Sequence, residues 1–410
     1  MKNILIIGFV WPEPDSTAAG NRMLQLIELF LENNYNISFA STASKTDKSY
    51  NFDKLKIQTF DIELNNSNFD LFVKKLNPDI VLFDRYLTEE QFGWRVAENC
   101  PNALRILDTE DLHFLRYARQ EAFKKDKELS LEFLINDITK REIASIYRCD
   151  LSLIISTFEM KLLVDTFKMN ESILCYILFL LDYVDLNTIH NFPTFNEREH
   201  FITIGNFKHK PNWSSVIYLK EVIWPLIRNK LPNVDLHIYG AYASEEILQL
   251  HKKNEGFIIK GWAKNVEQVF KKAKVCLAPL QFGAGLKGKL IDAMLYGTPS
   301  ITTSIGAEAM HCELLWNGFI EDDPENFALK AVELYTNKKK WEESQTNGVK
   351  IINHCYSKNT YGVTFLNKLE TTKSNLEKHR LNNFTGLMLT HHTLKSTKYM
   401  SKWIEEKNKN

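Results

Sequence analysis

The chain has 410 residues, of which 44% are hydrophobic, and its 51 Lys and Arg residues balance 51 Asp and Glu residues. That length exceeds what one hydrophobic core usually supports, so it predicts two domains of about 150 to 200 residues. The balanced charge excludes a global field that would attract nucleic acid or an anionic surface, so any phosphate-binding charge has to be local.

The cysteines and the amino terminus indicate a cytoplasmic protein. The six cysteines, which show no CxxC pair and no histidine at metal spacing, are Cys100, Cys149, Cys175, Cys276, Cys312 and Cys355. We expect buried thiols in a reducing compartment and no metal site. The opening MKNILIIGFVWPEP has a short apolar run and no small-residue cleavage site, so it predicts a first strand.

Short apolar runs alternate with helical patterns along the chain. In the first half these runs are ILIIGFV, NISFAST, DIVLFDRY, ALRILDTED and LSLIIS. After a polar stretch the pattern starts again with HFITIGNF, VDLHIYG, GFIIKGW, KVCLAPL and PSITTS. Such alternation predicts α/β domains with doubly wound parallel sheets. We expect Rossmann-like domains at residues 1–190 and 199–355, followed by a helix and tail at 356–410.

The most apolar run, ILCYILFLL at 173–181, is about half the length of a membrane-spanning helix, which needs about 20 residues. We therefore interpret it as a buried strand and its continuation.

Polar side chains follow two of the strands predicted in the first domain. Asp84 and Arg85 follow IVLF, at the carboxyl end where open parallel sheets bind ligands, although a plain ion pair fits equally well. Asp108, Asp111 and His113 follow the next strand. One histidine with two aspartates does not define a metal site. A histidine in a phosphate cleft can contact a sugar or a leaving oxygen, and the alternative is a capping or core histidine.

A glycine-rich loop, QFGAGLKG, stands between the strand KVCLAPL and the helical pattern KLIDAML. Gly283, Gly285 and Gly288 let backbone amides approach a ligand, and the helix terminus adds a partial positive charge. Lys287 and Lys289 add full charges that suit a phosphate. The sequence therefore predicts an anion site, which is not a P-loop because no GK[ST] follows the spacing.

Asp292 follows those lysines on the same predicted helix. Its carboxylate can accept hydrogen bonds from the two hydroxyls of a ribose. The alternative is that it only complements the helix dipole.

The segment FGAGLKGKLIDAMLYGTPSITTSIGAEAM resembles the donor-binding motif of the group 1, family 4 glycosyltransferases of the GT-B fold. FITIGNFKHKPNW is similar to the segment that opens their second domain. The resemblance covers about residues 1–370 and is strongest at 201–310. It implies two domains facing a cleft and metal-independent transfer, with retention, of a hexose-type sugar from a UDP- or GDP-type donor. The acceptor would be a glycan or lipid-linked molecule of cell-surface polysaccharide assembly, and no cofactor is implied.

The resemblance also implies donor-binding residues in the second domain. Asp292 would hold the ribose, and Lys287 would contact the diphosphate and assist catalysis. The other implied donor residues are Gly205, Asn206, Lys210, Gly283, Ala284, Gly285, Leu286, Gly288 and Glu308. Ala284 stands where the family has its first glutamate. The sugar would then be held by amides of the GAG turn or by Glu308.

In the first domain, the loop before the first helix resembles the family loop that closes over the donor and acceptor. It implies that Gly20 permits close approach and that Arg22 binds either the acceptor or the neighbours of its own helix. Asp84 and Arg85, at the end of their strand, are the other candidate acceptor-binding residues. By the same resemblance Asp108, Asp111 and His113 would be catalytic. Ser156 and Glu159 match an S-x-x-E element of the family, but their spacing is also a capping box, and we favour capping.

The tail from 376 to 410 carries seven Lys or Arg against three Glu, a net charge of +4, among aromatic and apolar residues. Such a segment either docks on the protein or makes peripheral contact with the inner face of the plasma membrane. Two alternatives to a transferase stay open: a non-catalytic nucleotide-sugar-binding protein, favoured by Ala284, and a sugar-nucleotide epimerase of the same fold.

Overall fold

The computed structural model describes residues 2–409, apart from the side chains of residues 393 and 394. It contains two parallel sheets. The strands of the first sheet are β1 (Lys2–Gly8), β2 (Tyr35–Ser41), β3 (Gln58–Asp61), β4 (Ile80–Asp84), β5 (Leu104–Asp108), β6 (Leu151–Ile154) and β7 (Leu174–Tyr176). The strands of the second are β8 (Glu199–Ile204), β9 (Leu236–Tyr239), β10 (Phe257–Gly261), β11 (Ala273–Ala278), β12 (Ser300–Thr302) and β13 (Gly318–Ile320).

Helices cover both sheets. Those up to residue 190 are α1 (Ala18–Glu32), α2 (Asn68–Leu76), α3 (Arg85–Asn99), α4 (His113–Lys124), α5 (Leu131–Leu134), α6 (Asp137–Arg148), α7 (Thr157–Lys161) and α8 (Leu186–His190). The next are α9 (Lys210–Tyr218), α10 (Trp224–Lys230), α11 (Glu245–Gln249), α12 (Val266–Lys272), α13 (Gly288–Leu295), α14 (Ser304–Ala307), α15 (Pro324–Thr336) and α16 (Lys338–Cys355). The last are α17 (Lys358–Ser374), α18 (Leu376–Asn382) and α19 (Phe384–Lys407).

The two sheets share one topology. Their strand orders are β3-β2-β1-β4-β5-β6-β7 and β10-β9-β8-β11-β12-β13, with every pairing parallel. This confirms the expected α/β class with two Rossmann-like domains. In each sheet the order reverses beside its first strand, between β1 and β4 and between β8 and β11. Ligands bind at the carboxyl ends of strands at such points.

The central strands, which are buried, could be predicted from the sequence. In β4 all five residues are buried, as expected for a strand covered by helices on both faces. The edge strands β3 and β13 contain no buried residue and lack an apolar run. They were not predicted. The apolar run at 173–181 begins with β7 and continues as buried irregular chain, in line with its interpretation.

The chain returns to the first domain after α16. Leu181 exchanges backbone hydrogen bonds of 2.9 Å with Tyr356 and Lys358, which marks the crossing. Helix α17 then packs Phe365 and Leu369 into the core of the first domain. Phe365 contacts Phe30 of α1 edge to face, with ring centroids 5.8 Å apart.

The tail docks on the first domain as α18 and α19. Arg380 makes a bidentate ion pair with the buried Asp150, with N–O distances of 2.7 and 2.8 Å. Helix α19 packs on α3 and α6, and Arg95 of α3 donates to Ser401 at 2.9 Å. Docking of the tail is therefore observed, and it leaves Phe384, Tyr399 and Trp403 of α19 exposed. Within residues 2–409, none of the helices combines the length and the hydropathy needed to cross a membrane.

One prediction about the cysteines was wrong. Cys312 and Cys355 are paired, with Cα atoms 6.1 Å apart, because the loop after α14 passes the end of α16. The other four are buried free thiols, as expected.

Candidate functional site

A cavity of about 600 Å³ lies between the two domains. The first domain contributes the loop after β1 and the residues that follow β4 and β5. The second domain contributes the loops after β8, β9, β10 and β11, together with α13. The carboxyl ends of the central strands of both sheets thus face one space, as their topology predicts.

The loop after β1 covers this cavity and reaches the other domain. Tyr242 donates its hydroxyl to the carboxylate of Glu13 at 2.8 Å, and Trp262 donates its indole N–H to the carbonyl of Asp15 at 3.0 Å. A Cβ at Gly288 would come 2.5 Å from the Cβ of Ala18. The two domains are therefore closed on each other in this structure.

The glycine-rich loop follows β11 and leads into α13, as the sequence predicts. Gly283, Ala284, Gly285, Leu286 and Gly288 all line the cavity. Gly285 has φ +62°, and a Cβ there would lie 2.8 Å from the Cβ of Asp111 in the first domain. Both its conformation and its close approach to the other domain thus require glycine.

Two lysines bring positive charge to this loop. The ammonium of Lys287 donates to the carbonyl of Gly285 at 2.7 Å, and that of Lys289 donates to the side chain of Asn212 at 2.8 Å. Both line the cavity, and burial lowers the pKa of each to about 8. An anion in the cavity would be held by these groups and by the N–H groups that begin α13.

Asp292 lies on the same helix and also lines the cavity. Burial raises its pKa to about 7. Gly205 and Asn206, in the loop after β8, line the same cavity as Asp292. Asn212 ties this loop to Lys289, because its side chain accepts from Lys289 and donates to the carbonyl of Asn206 at 3.0 Å.

In the first domain, Asp111, His113 and Arg116 form one cluster on the cavity wall. His113 Nε2 lies 3.5 Å from Asp111, and Arg116 pairs with the same carboxylate. Burial lowers the pKa of His113 to about 3, so its imidazole is neutral at neutral pH. Although burial alone would raise the pKa of Asp111, Arg116 and His113 bring it below its usual range.

Two buried glutamates fix the start of α4, which carries this cluster. Glu142 accepts from the backbone N–H of His113 at 3.2 Å and of Phe114 at 2.9 Å. Glu159 accepts from the N–H of Leu112 at 3.1 Å. Three N–H groups that a helix leaves unpaired at its beginning are thereby satisfied, and the backbone of His113 is fixed.

Glu110 and Arg85 also belong to the polar wall of the first domain. Burial, and then the charge of Asp108, raise the pKa of Glu110 well above its usual value. Among the described residues, no group of three His, Cys, Asp or Glu side chains is arranged to hold a metal ion.

Several predicted acceptor and catalytic residues do not line the cavity. Arg22 and Asp108 are fully buried and pair through two contacts of 2.6 and 2.7 Å. Asp84 is buried and accepts from the N–H of Phe9 at 3.0 Å. Gly20 lets α1 pack against the backbone of Glu13, to which a Cβ would come within 2.6 Å. These residues support the fold behind the wall, so the geometry gives them no direct contact with a ligand.

Two predicted donor residues also lie outside the cavity wall. Glu308 binds both nitrogens of Arg119, at 2.9 and 2.7 Å, and Arg119 donates to the carbonyl of Gly283 at 2.8 Å. Glu308 therefore acts on the glycine-rich loop through Arg119. Lys210 begins α9 and is exposed.

Ala284 lies at the border between the cavity and an apolar core. It belongs to the apolar cluster of the first domain and also lines the cavity. A glutamate there would bring a charge to this apolar cluster, which is costly unless its carboxylate finds a partner. Nor is the amide of Gly285 available to a sugar, because it donates to Glu159 at 2.8 Å.

The residues that the sequence did not assign are those that depend on contact between domains. Arg116 and Arg119 follow His113 at helical spacing, which is a signal for one face of α4. No local pattern indicates that Arg119 and Glu159 reach the glycine-rich loop, since their partners are 164 and 126 residues away.

Comparisons with known proteins agree with this geometry. Residues 198–337 match the family model described as glycosyl transferases, group 1. No curated protein matches the chain. Among solved structures, the chain is similar to a sucrose-phosphate synthase from Thermosynechococcus elongatus, with a TM-score of 0.69 and 13% identity, over 91% of this chain and 100% of the other.

Two further neighbours were solved with UDP. A TarM variant from S. aureus, in complex with fondaparinux, α-GlcNAc-glycerol and UDP, has a TM-score of 0.69 and 12% identity, over 90% of this chain and 99% of the other. Anabaena HepE, in complex with UDP and glucose, has a TM-score of 0.63 and 11% identity, over 90% of this chain and 100% of the other. Identities this low show the fold alone, and that fold is GT-B.

Proposed function

We propose that this chain, whose residues 198–337 match the group 1 glycosyl transferase model and whose fold is GT-B, moves a hexose-type sugar from a nucleotide-diphosphate donor to an acceptor hydroxyl. The donor is of the UDP or GDP type, and UDP in the TarM and HepE structures favours the former. The acceptor is a glycan or lipid-linked molecule of cell-surface polysaccharide assembly. Transfer retains the anomeric configuration and needs neither metal ion nor cofactor.

The observation that carries this proposal is the positive wall formed by Lys287, Lys289 and the beginning of α13. A diphosphate would lie against it. When the bond between the anomeric carbon and the phosphate oxygen breaks, negative charge develops on that oxygen. Charges already in place stabilise it without reorganisation. The acceptor hydroxyl forms the new bond to carbon, and its proton passes to the leaving phosphate oxygen.

The other cavity residues fit the remaining parts of the donor. Asp292 accepts hydrogen bonds from the ribose hydroxyls, because its carboxylate lies on the helix that holds the diphosphate. The neutral imidazole of His113 and the carboxylate of Asp111 face the sugar across the cleft. Closure of the first loop excludes water, which would otherwise compete with the acceptor.

A donor screen tests the proposal. The purified protein is heated with UDP-, GDP-, ADP- and dTDP-sugars, and sugar release is followed for each. We expect one donor class to stabilise the wild type and to lose its sugar slowly, and Asp292→Ala to abolish both effects. A wild type that is stabilised but releases and transfers no sugar would support the non-catalytic alternative. Absence of any response would contradict nucleotide-sugar binding.

Donor binding should weaken above about pH 8. The pKa values of Lys287 and Lys289 are both about 8, so each lysine loses its charge as the pH rises past that value. A bound diphosphate favours the charged form, and linkage predicts up to about tenfold weaker binding per lysine and per pH unit. Titration calorimetry with nucleoside diphosphate between pH 7 and 9 measures this. In Lys287→Arg the slope should fall, and an unchanged Kd across this range in the wild type would contradict the prediction.

We also propose that α19 brings the enzyme to the inner face of the plasma membrane, where a lipid-linked acceptor lies. Phe384, Met388, Tyr399 and Trp403 are exposed on this helix. Lys395 and Lys402 are exposed among them. Aromatic residues mixed with lysines are typical of helices that lie on anionic bilayers.

Cosedimentation with anionic vesicles tests this contact. We expect binding by the wild type, and loss of most binding in Trp403→Ala combined with Lys402→Glu. Leu71→Ala, which removes an exposed apolar side chain of α2, is the matched control. Equal binding by all three proteins would show that α19 has no membrane role.

A further inference from the structure

Glu159 is a fully buried carboxylate that contacts both domains. The sequence favours a local role for it, as part of a capping box. In the structure Ser156 does cap α7, because its hydroxyl accepts from the N–H of Glu159 at 3.1 Å. The carboxylate of Glu159 has a different partner set: Oε1 accepts from the N–H of Leu112 at 3.1 Å and from the N–H of Gly285 at 2.8 Å.

This one oxygen joins two parts of the site. Leu112 precedes His113 at the beginning of α4, so the first contact fixes the catalytic wall of the first domain. Gly285 belongs to the glycine-rich loop of the second domain. Its carbonyl accepts from Lys287, so Glu159 and Lys287 hold Gly285 from its two sides.

Neighbouring contacts show that this part of the loop sits on the first domain. A Cβ at Gly285 would lie 2.8 Å from the Cβ of Asp111, and Ala284 packs into the first-domain core. Arg119 of α4 binds the carbonyl of Gly283. If the domains separate, all these partners are lost together, and the loop keeps only the contacts of its own domain.

We propose that Glu159 is a positioning residue that couples domain closure to the shape of the donor loop. Closure brings the N–H of Gly285 to the carboxylate, which sets the turn and places Lys287 for the leaving diphosphate. The same contact ties this event to the start of α4 and hence to His113. Glu159 thus provides, from the opposite domain, the carboxylate beside a loop that has Ala284 where its family has glutamate. This inference rests on the proposed transferase function.

Three variants test it. Glu159→Met has a similar volume and removes both acceptors. Glu159→Gln keeps one acceptor oxygen without the charge. Glu142→Met is the matched control, since Glu142 also holds the beginning of α4 and does not bind the second domain. Circular dichroism checks that each variant is folded.

The first readout, hydrogen exchange, needs no activity. With nucleoside diphosphate bound, we expect the segment 283–289 to exchange at least tenfold faster in Glu159→Met than in the wild type, and to keep its protection in Glu142→Met. Glu159→Gln should lie between them. Equal protection in Glu159→Met and wild type, or equal loss in both Met variants, would overturn the proposal. If Glu159→Met does not fold, Glu159→Gln decides by the same comparison.

The second readout is kinetic. In Glu159→Met we expect kcat for transfer to fall at least tenfold while the Kd of the free nucleoside diphosphate changes less than threefold. The fraction of donor sugar lost to water should rise, because closure is incomplete. A uniform loss of binding, or wild-type kinetics, would contradict coupling. If the wild type itself transfers no sugar, the proposed function fails, and the exchange experiment still decides the role of Glu159.

Discussion

Replacing Lys287 by alanine is expected to lower kcat for sugar transfer by about 10² to 10³-fold, which is the usual effect of removing one group that stabilises developing charge. Lys287 is buried beside the beginning of α13, and its ammonium is held by the carbonyl of Gly285. It needs no rearrangement to meet the leaving phosphate. We expect KM for the donor to change less than kcat, because charge on the bridging oxygen develops only in the transition state.

Steady-state kinetics of the variant and of two comparison proteins measure this effect. Lys339→Ala, which removes an exposed lysine of α16, controls for the loss of one charge in the same domain. Lys287→Arg keeps the charge but changes its shape, so we expect partial activity. A Lys287→Ala enzyme whose kcat stays within threefold of the wild type would show that the diphosphate lies elsewhere.

The second large effect is expected on stability, for Arg22→Ala. Arg22 and Asp108 are both fully buried and form an ion pair, and Arg22 also donates to the carbonyl of Ile177 at 3.1 Å. Removing one partner leaves a charge buried without compensation, which typically costs about 3 to 5 kcal/mol. Chemical denaturation, followed by the fluorescence of Trp11 and Trp94 in the first domain, measures the free energy of unfolding.

A double variant separates a structural role from acceptor binding. In Arg22→Met combined with Asp108→Leu both charges are gone, and buried pairs replaced in this way are often as stable as before. We expect stability to recover and KM for the acceptor to stay near the wild-type value. If the double variant is stable but has lost acceptor binding, then Arg22 contacts the acceptor, as the resemblance implies.

The fold could be predicted from the sequence wherever burial leaves a local pattern. β4 and β11 are apolar because helices cover both faces of the sheet. The helical patterns between such apolar runs predict the alternation of strand and helix. β13 has no such pattern: all three of its residues are only partly buried, and its place at the edge is fixed by pairing with β12. Edge pairing depends on the partner strand and not on the residues of the edge itself.

The same distinction holds for the site. Gly285, Lys287 and Asp292 could be predicted to lie together because strand, loop and helix follow one another in the chain, and all three line the cavity. Arg119 could not be assigned, because its role depends on Gly283 and Glu308, which belong to the other domain. The position of Arg22, buried against Asp108, could not be predicted for a related reason. A polar residue near a sheet edge looks the same in sequence whether it faces a ligand or a buried aspartate.

Helix α17 completes the core of the first domain although it follows the second domain in the chain. The ribosome makes the seven strands of the first sheet before the second domain, but Phe365 and Leu369, which belong to the core of the first domain, follow the second domain in the chain. Domains generally fold as they emerge during synthesis. Here the first domain is made before α17, the helix that packs against its α1. A chain without α17 would therefore expose the apolar surface that Phe365 and Leu369 cover, and the first domain is complete only after the second domain has been made.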